Sequence, residues 1–106
     1  MRVQKTSQYD RWFRKLKDSI ARAKINARIR RIQLVGELVG DWKSVGEKVI
    51  ELRIDYGPGY RVYVYMEREE LLLLLIGGNK SSQQADIKQA KSLLKEWRQE
   101  NGYQSN

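Results

Sequence analysis

Apolar residues recur along this chain at three spacings, and each spacing predicts a different element. Tyr9, Trp12, Phe13 and Leu16 follow Ser7 at helical intervals, which predicts a first helix with Ser7 as its N-cap. Ala21, Ile25, Ile29 and Ile32 repeat the pattern behind Asp18 or Ser19, predicting a second helix. The very short connection makes the two an antiparallel hairpin. Strict alternation comes next, because strand side chains point to opposite faces in turn. Ile50, Leu52 and Ile54 oppose Glu51, Arg53 and Asp55; after a Gly57-Pro58-Gly59 turn, Val62, Val64 and Met66 oppose Arg61, Tyr63 and Tyr65. The third spacing is none at all: Leu71–Ile76 is apolar throughout, as expected of a central strand covered on both faces.

These patterns place strands at about 48–55, 60–67 and 70–76, with Val3 in a further edge strand at the start. Pro58 and Gly59 suit the two central positions of a type II turn. Gly36, Gly40 and Gly46 mark a loop at Leu34–Val45 anchored by Trp42, and Gly77-Gly78-Asn79 ends the third strand. Ser81 caps a last helix, with Gln84 completing a capping box and Ile87, Ala90, Leu94 and Trp97 on its buried face. Asn101-Gly102 stops it, leaving Tyr103–Asn106 as a frayed tail. The expected fold class is α+β: an N-terminal helix hairpin packed on a curved antiparallel sheet of three to four strands, with a C-terminal helix. At 106 residues the chain builds one core and one domain, 1–106.

With no cysteine the fold depends on apolar packing, and a reducing cytoplasm suits it. No signal peptide is expected, and no apolar run is long enough to span a bilayer, so no membrane partner is expected. The net charge of +8 is uneven: residues 1–31 hold 11 Lys/Arg against 2 Asp/Glu, and residues 32–106 hold 10 against 11. A basic N-terminal third favours RNA, DNA or an acidic protein, unless it is only a solvated surface. Lys24, Arg28 and Arg31 line one side of the second helix, where three like charges do nothing for the helix itself.

Histidine is absent, which removes imidazole bases, His-bearing metal sites and the usual nucleophilic triads. Gly77-Gly78-Asn79-Lys80-Ser81 lacks the spacing of a nucleotide-binding loop. The carboxylates near the hairpin are interleaved with arginines, a mixture better matched to anions than to divalent cations, so neither metal nor cofactor is expected. RNA cleavage by its own 2′-hydroxyl fits what remains, since it needs a base, an acid and cations around the phosphorus. Arg53 and Arg61 can clamp the phosphate, Lys80 can add a third charge, and Glu51, kept ionised by them, suits a base. Tyr63 or Tyr65 can stack on a base or donate to the phosphate. The plain alternative is a solvated sheet face on which Arg53 pairs with Glu51 or Asp55 and the tyrosines are ordinary cross-strand neighbours.

Three segments, IARAKINARIRRIQ, GDWKSVGEKVIELRIDYGPGYRVYVY and LLLLLIGGNKSSQQADIKQAKSL, resemble the phage-derived Gp49-like (HigB-like) addiction-module killer proteins of the RelE/ParE toxin superfamily. The resemblance runs from about Ser7 to Trp97, and its signature is ELRI…GPGYRVY followed by GG-x-KSSQ-x-x-DI. It implies a RelE-like fold and a bacterial or phage type II toxin, monomeric when free. It also implies a co-encoded helix-turn-helix, HigA-like antitoxin that holds the toxin in a higher-order complex. By resemblance, Arg61 is the scissile-phosphate arginine, Lys80 a second basic residue after the third strand, and Arg53 a basic residue before the turn. RelE has lysines near the position of Glu51 and a C-terminal tyrosine where this chain has Asp86, so the resemblance does not assign the general base. The reading is an mRNA-cleaving endoribonuclease, an mRNA interferase that engages the ribosome through Lys24, Arg28 and Arg31, with Tyr60 and Tyr65 also on RNA. The alternative is a non-enzymatic, ParE-like inhibitor of DNA gyrase. Retention of Arg53, Arg61 and Lys80 together favours the ribonuclease.

Overall fold

The computed structural model describes residues 1–102, so the expected frayed tail at 103–106 lies outside the described residues. The first helical stripe forms α1, Ser7–Lys15, but its cap is Thr6 and not Ser7. Thr6 Oγ1 accepts the Tyr9 amide at 2.9 Å and donates to the Leu75 carbonyl at 2.6 Å, so one hydroxyl both starts the helix and ties it to the sheet. Asp18 caps α2, Ser19–Val35, by accepting from the Ile20 and Ala21 amides. The stripe Ala21, Ile25, Ile29 and Ile32 is buried, as its spacing predicts.

Five strands make one open sheet: β1 Arg2–Lys5, β2 Trp42–Ser44, β3 Ile50–Ile54, β4 Tyr60–Glu67 and β5 Leu71–Asn79, in the order β1-β5-β4-β3-β2. The α+β class stands, but a purely antiparallel sheet of three to four strands does not. β1 pairs with β5 in parallel, which makes the sheet mixed. β2 forms inside the segment read as a loop, with Trp42 opposite Leu52. Three residues are too few to show a period, and Trp42 is 43 % exposed on the sheet edge, so it does not anchor the segment.

The β3–β4 register sets Arg53 opposite Arg61 and Glu51 opposite Tyr63. The turn is shifted by one residue from the expected one. Its bond runs from the Gly59 amide to the Tyr56 carbonyl at 3.1 Å, so Gly57 and Pro58 occupy the centre. Nor does the glycine pair end β5; the strand continues to Asn79. A bulge lies on the way, since Tyr63 pairs with Ile76 and Val64 with Leu74, leaving Leu75 as the extra residue. Leu75 and Ile76 therefore both pack on the same side, and beyond them Gly77 and Gly78 face opposite layers. A β-carbon on Gly77 would fall 2.2 Å from the Trp12 ring, and one on Gly78 would fall 1.8 Å from Asp86 Oδ2. The pair lets a helix approach the strand closely from each side.

Both faces of the sheet are covered. α1 and α2 pack over Leu52, Val62, Val64, Leu72 and Leu74. On the other face α3, Gln83–Glu100, lays Ala90, Leu93, Leu94 and Trp97 over Tyr63, Tyr65, Leu73 and Leu75. The face expected to lie open for phosphate is thus mostly a second core, and only its end near Arg53 and Arg61 is left uncovered. α3 starts one residue later than the expected Ser81 cap implies, at Gln83 with Ser82 as its N-cap. Asn79 and Ser82 form the capping box on a short 3-10 turn, Lys80–Ser82, that leads into α3.

Candidate active site

β3, β4 and the start of α3 converge at the uncovered end of the sheet. Glu51 is its centre and is fully buried. Its Oε1 accepts from Arg53 Nε at 2.8 Å and lies 3.9 Å from Arg61 Nε; its Oε2 accepts from Tyr63 Oη at 3.0 Å and Gln83 Nε2 at 2.8 Å. Burial pushes the Glu51 carboxyl up, but donation by Arg53, Gln83 and Tyr63 outweighs it and holds the carboxyl below its ordinary range. The same burial, together with the Glu51 charge, pushes the Tyr63 phenol well up, so it stays a neutral donor. Glu51 therefore has both oxygens occupied and no exposed surface from which to take a proton.

Arg61 is the cation with donors to spare. Its Nε is buried with no hydrogen-bond partner, and Nη1 reaches only the Gly59 and Tyr60 carbonyls at 3.4 and 3.3 Å. Lys80 stands beside it: Arg61 Nη1 and Lys80 Cβ both lie 3.5 Å from where a β-carbon on Gly59 would be. Lys80 through Ala85 line a recess of about 500 Å³ next to this pair. α3 opens without a side-chain cap, because the Ser82 hydroxyl is committed to Asp86 instead. An unspent guanidinium beside a lysine at the start of a helix favours a phosphate.

The expected site residues thus divide. Arg53, Arg61, Lys80, Glu51 and Tyr63 come together, with Glu51 and Tyr63 as buried framework. Tyr65 does not join them. It lies under α3 with its ring 6.2 Å from that of Trp97 and the Arg98 guanidinium 5.7 Å over its face, so no nucleobase can stack on it. Tyr60 is buried in the layer beneath α1 and α2, on the opposite face. The reason is common to both tyrosines: a phenol on an alternating strand looks polar, yet its ring is large enough to be core. Sequence reasoning missed Gln83, Ser82 and Gly78, and met Asp86 only as a departure from RelE. A glycine pair leading into a basic turn and a helix with a carboxylate in its first turn was the available signal. Among the described residues no group of three or more His, Cys, Asp or Glu side chains is placed to hold a metal ion, and no helix is long and apolar enough to cross a membrane.

The basic stripe on α2 is not uniform either. Lys24 is exposed with its ammonium 5.5 Å over the Tyr56 ring, and Arg31 is exposed. Arg28 is tied down, donating to the carbonyls of Val39, Asp41 and Arg53 and so joining α2 to the segment before β2 and to β3. Replacing Arg28 with Gln is expected to cost about 1.5–3 kcal/mol, as lost charge-assisted bonds to carbonyls typically do. Replacing Lys24 and Arg31 together should stay within about 0.5 kcal/mol of the parent. Urea denaturation of the two variants checks this.

Residues 11–97 match the family described as Phage derived protein Gp49-like (DUF891). An uncharacterized protein of Haemophilus influenzae strain Rd is 50 % identical over 96 residues, which cover 91 % of this chain and 95 % of that protein. The matched stretch contains β3, β4, β5 and the start of α3, hence every residue of the site. The chain belongs to the Gp49-like family of phage-derived proteins, a family associated with toxin–antitoxin modules.

Proposed function

We propose that this protein is the toxin of a type II toxin–antitoxin module, with a RelE-like fold, and that it cleaves mRNA as an endoribonuclease. One observation carries the reading: Arg61, buried at Nε and without a hydrogen-bond partner there, lies opposite Arg53 and beside Lys80, which itself lines a recess. An arginine left with spare donors in a structure this well packed is matched to an anion that arrives from outside. The three cations act on the scissile phosphate and on the charge it gains as the 2′-oxygen attacks. The exposed charges of α2, Lys24 and Arg31, add contacts to ribosomal RNA, while Arg28 serves the fold. The family's association with toxin–antitoxin modules and the HigB-like signature support a cytoplasmic toxin, monomeric when free and neutralised by a helix-turn-helix antitoxin.

Expression of the chain alone in a bacterial host is expected to arrest growth with new 5′ ends in cellular mRNA, and co-expression of the antitoxin encoded beside it should restore growth. Normal growth at high levels of folded protein would defeat the toxin reading. Arrest with intact mRNA and inhibited gyrase supercoiling would replace the ribonuclease with the ParE-like alternative.

A further inference from the structure

The site has a second carboxylate, and its placement differs from that of Glu51 in every respect that matters for moving a proton. Asp86 lies in the first turn of α3, directly after Ala85 at the edge of the recess, and is half-buried. Its Oδ2 occupies the space that a side chain on Gly78 would fill, and Gly78 is the cross-strand partner of Arg61 on the same face of the sheet. Among the described residues its one hydrogen-bond donor is the Ser82 hydroxyl. Glu51, by contrast, is closed off from solvent and accepts from three donors.

We propose that Asp86 is the general base of the site, held against β5 by Ser82 and admitted there by Gly78, while Glu51 only positions Arg53 and Arg61. The proposal rests on the endoribonuclease reading. In the step, an Asp86 oxygen takes the proton of the 2′-hydroxyl, the 2′-oxygen forms a bond to phosphorus, and the phosphorus–O5′ bond breaks with its electron pair going to O5′. O5′ takes a proton from a water molecule in the recess, and the hydroxide left behind is neutralised by the proton Asp86 has gained. The products are a 2′,3′-cyclic phosphate and a 5′-hydroxyl. Burial raises the Asp86 carboxyl above the ordinary aspartate range, and donation from Ser82 only partly reverses this, so the carboxylate is a stronger base than an exposed one. The charged and titratable groups on the elements around it are Tyr63 and Arg61 on β4, Glu51 and Arg53 on β3, and Lys80 at the turn. Glu51 is held ionised and Tyr63 neutral by their shifts, and the bond from Glu51 holds the Arg53 guanidinium charged.

The test is the single-turnover rate of cleavage of an mRNA bound to bacterial ribosomes, followed against pH. The wild-type rate should climb about tenfold per pH unit at low pH and level off above the Asp86 pKa. Asp86→Asn should be slower by about a hundredfold or more at neutral pH, with ribosome binding unchanged and no levelling. Ser82→Ala should move the levelling to higher pH, because the lost donor favoured the ionised form; a residue that merely packs against the strand would leave it in place. Cleavage by Asp86→Asn within about threefold of wild type would overturn the proposal. Should Asp86→Asn fail to fold by circular dichroism, an unmoved profile in Ser82→Ala would overturn it equally. Wild-type protein that cuts no RNA would fail the endoribonuclease reading, and this proposal with it, whereas an active wild type beside an equally active Asp86→Asn sinks this proposal alone.

Discussion

Replacing Arg61 with alanine is expected to abolish mRNA cleavage and toxicity while leaving a folded protein. The register of β3 and β4 sets it opposite Arg53, and Lys80 joins them from the end of β5, so three cations lie together at one end of the sheet. Arg61 spends little of its hydrogen-bonding capacity on the protein, since Nε has no partner and Nη1 makes two long bonds to nearby carbonyls. Its removal therefore costs the fold little. Glu51 keeps Arg53, Tyr63 and Gln83 as donors. Loss of a donor aimed at charge that develops in the transition state slows a chemical step by about a hundredfold to a thousandfold. Lys80→Ala and Arg53→Ala should act in the same direction but less, because Lys80 is exposed and Arg53 is already paired with Glu51. Primer extension on mRNA from cells expressing each variant reads the cleavage, and thermal melts of the purified proteins read the fold. Wild-type cleavage by a folded Arg61→Ala protein would remove the site from consideration.

The helix stripes and the alternating hairpin strands were legible because each rests on a period of at least four residues, while the turn joining the strands was placed one residue too far along. What escaped was set by contacts distant in sequence. β2 has three residues and owes its existence to pairing with β3. The parallel docking of β1 depends on a strand about seventy residues further on, which no local pattern announces. Alternation does separate the two faces of β3 and β4, but it cannot say that α3 will cover the face bearing Tyr63 and Tyr65. That outcome follows from the apolar side of α3, whose Ala90, Leu94 and Trp97 need a surface and find the tyrosine rings there. The bulge at Leu75 then breaks the parity of β5, and with it any prediction of which face Gly77 and Gly78 serve. The site was half legible for the same reason. Arg53, Arg61 and Lys80 are marked by charge at the end of a hairpin, whereas Glu51 becomes a buried anchor only through Gln83, 32 residues away.

Glu51→Ala is expected to cost stability before it costs chemistry. The substitution leaves the Tyr63 hydroxyl, the Gln83 amide and Arg53 Nε without their acceptor around a position with no exposed surface. Removing one member of a buried charge pair typically costs about 3–5 kcal/mol, and the lower end applies here because the Arg53 side chain keeps 32 % of its surface exposed and can rehydrate. The loss should have a pH signature whose sign is fixed by the direction of the shift. Glu51 has its pKa lowered in the folded protein, so its contribution is present above the ordinary glutamate value of 4.5 and is lost as pH falls through the folded value. Wild type should therefore lose more stability than Glu51→Gln on going from pH 6 towards pH 3, and the two urea midpoints should converge. Asp86, whose pKa is raised, contributes with the opposite sign in both proteins and cancels from the difference. If Glu51 were instead the proton acceptor for the 2′-hydroxyl, Glu51→Gln would fold with wild-type stability at every pH and fail only in cleavage. A Glu51→Ala protein melting at the wild-type temperature would likewise return this carboxylate to the chemistry and take from it the task of holding Arg53 and Arg61 in place.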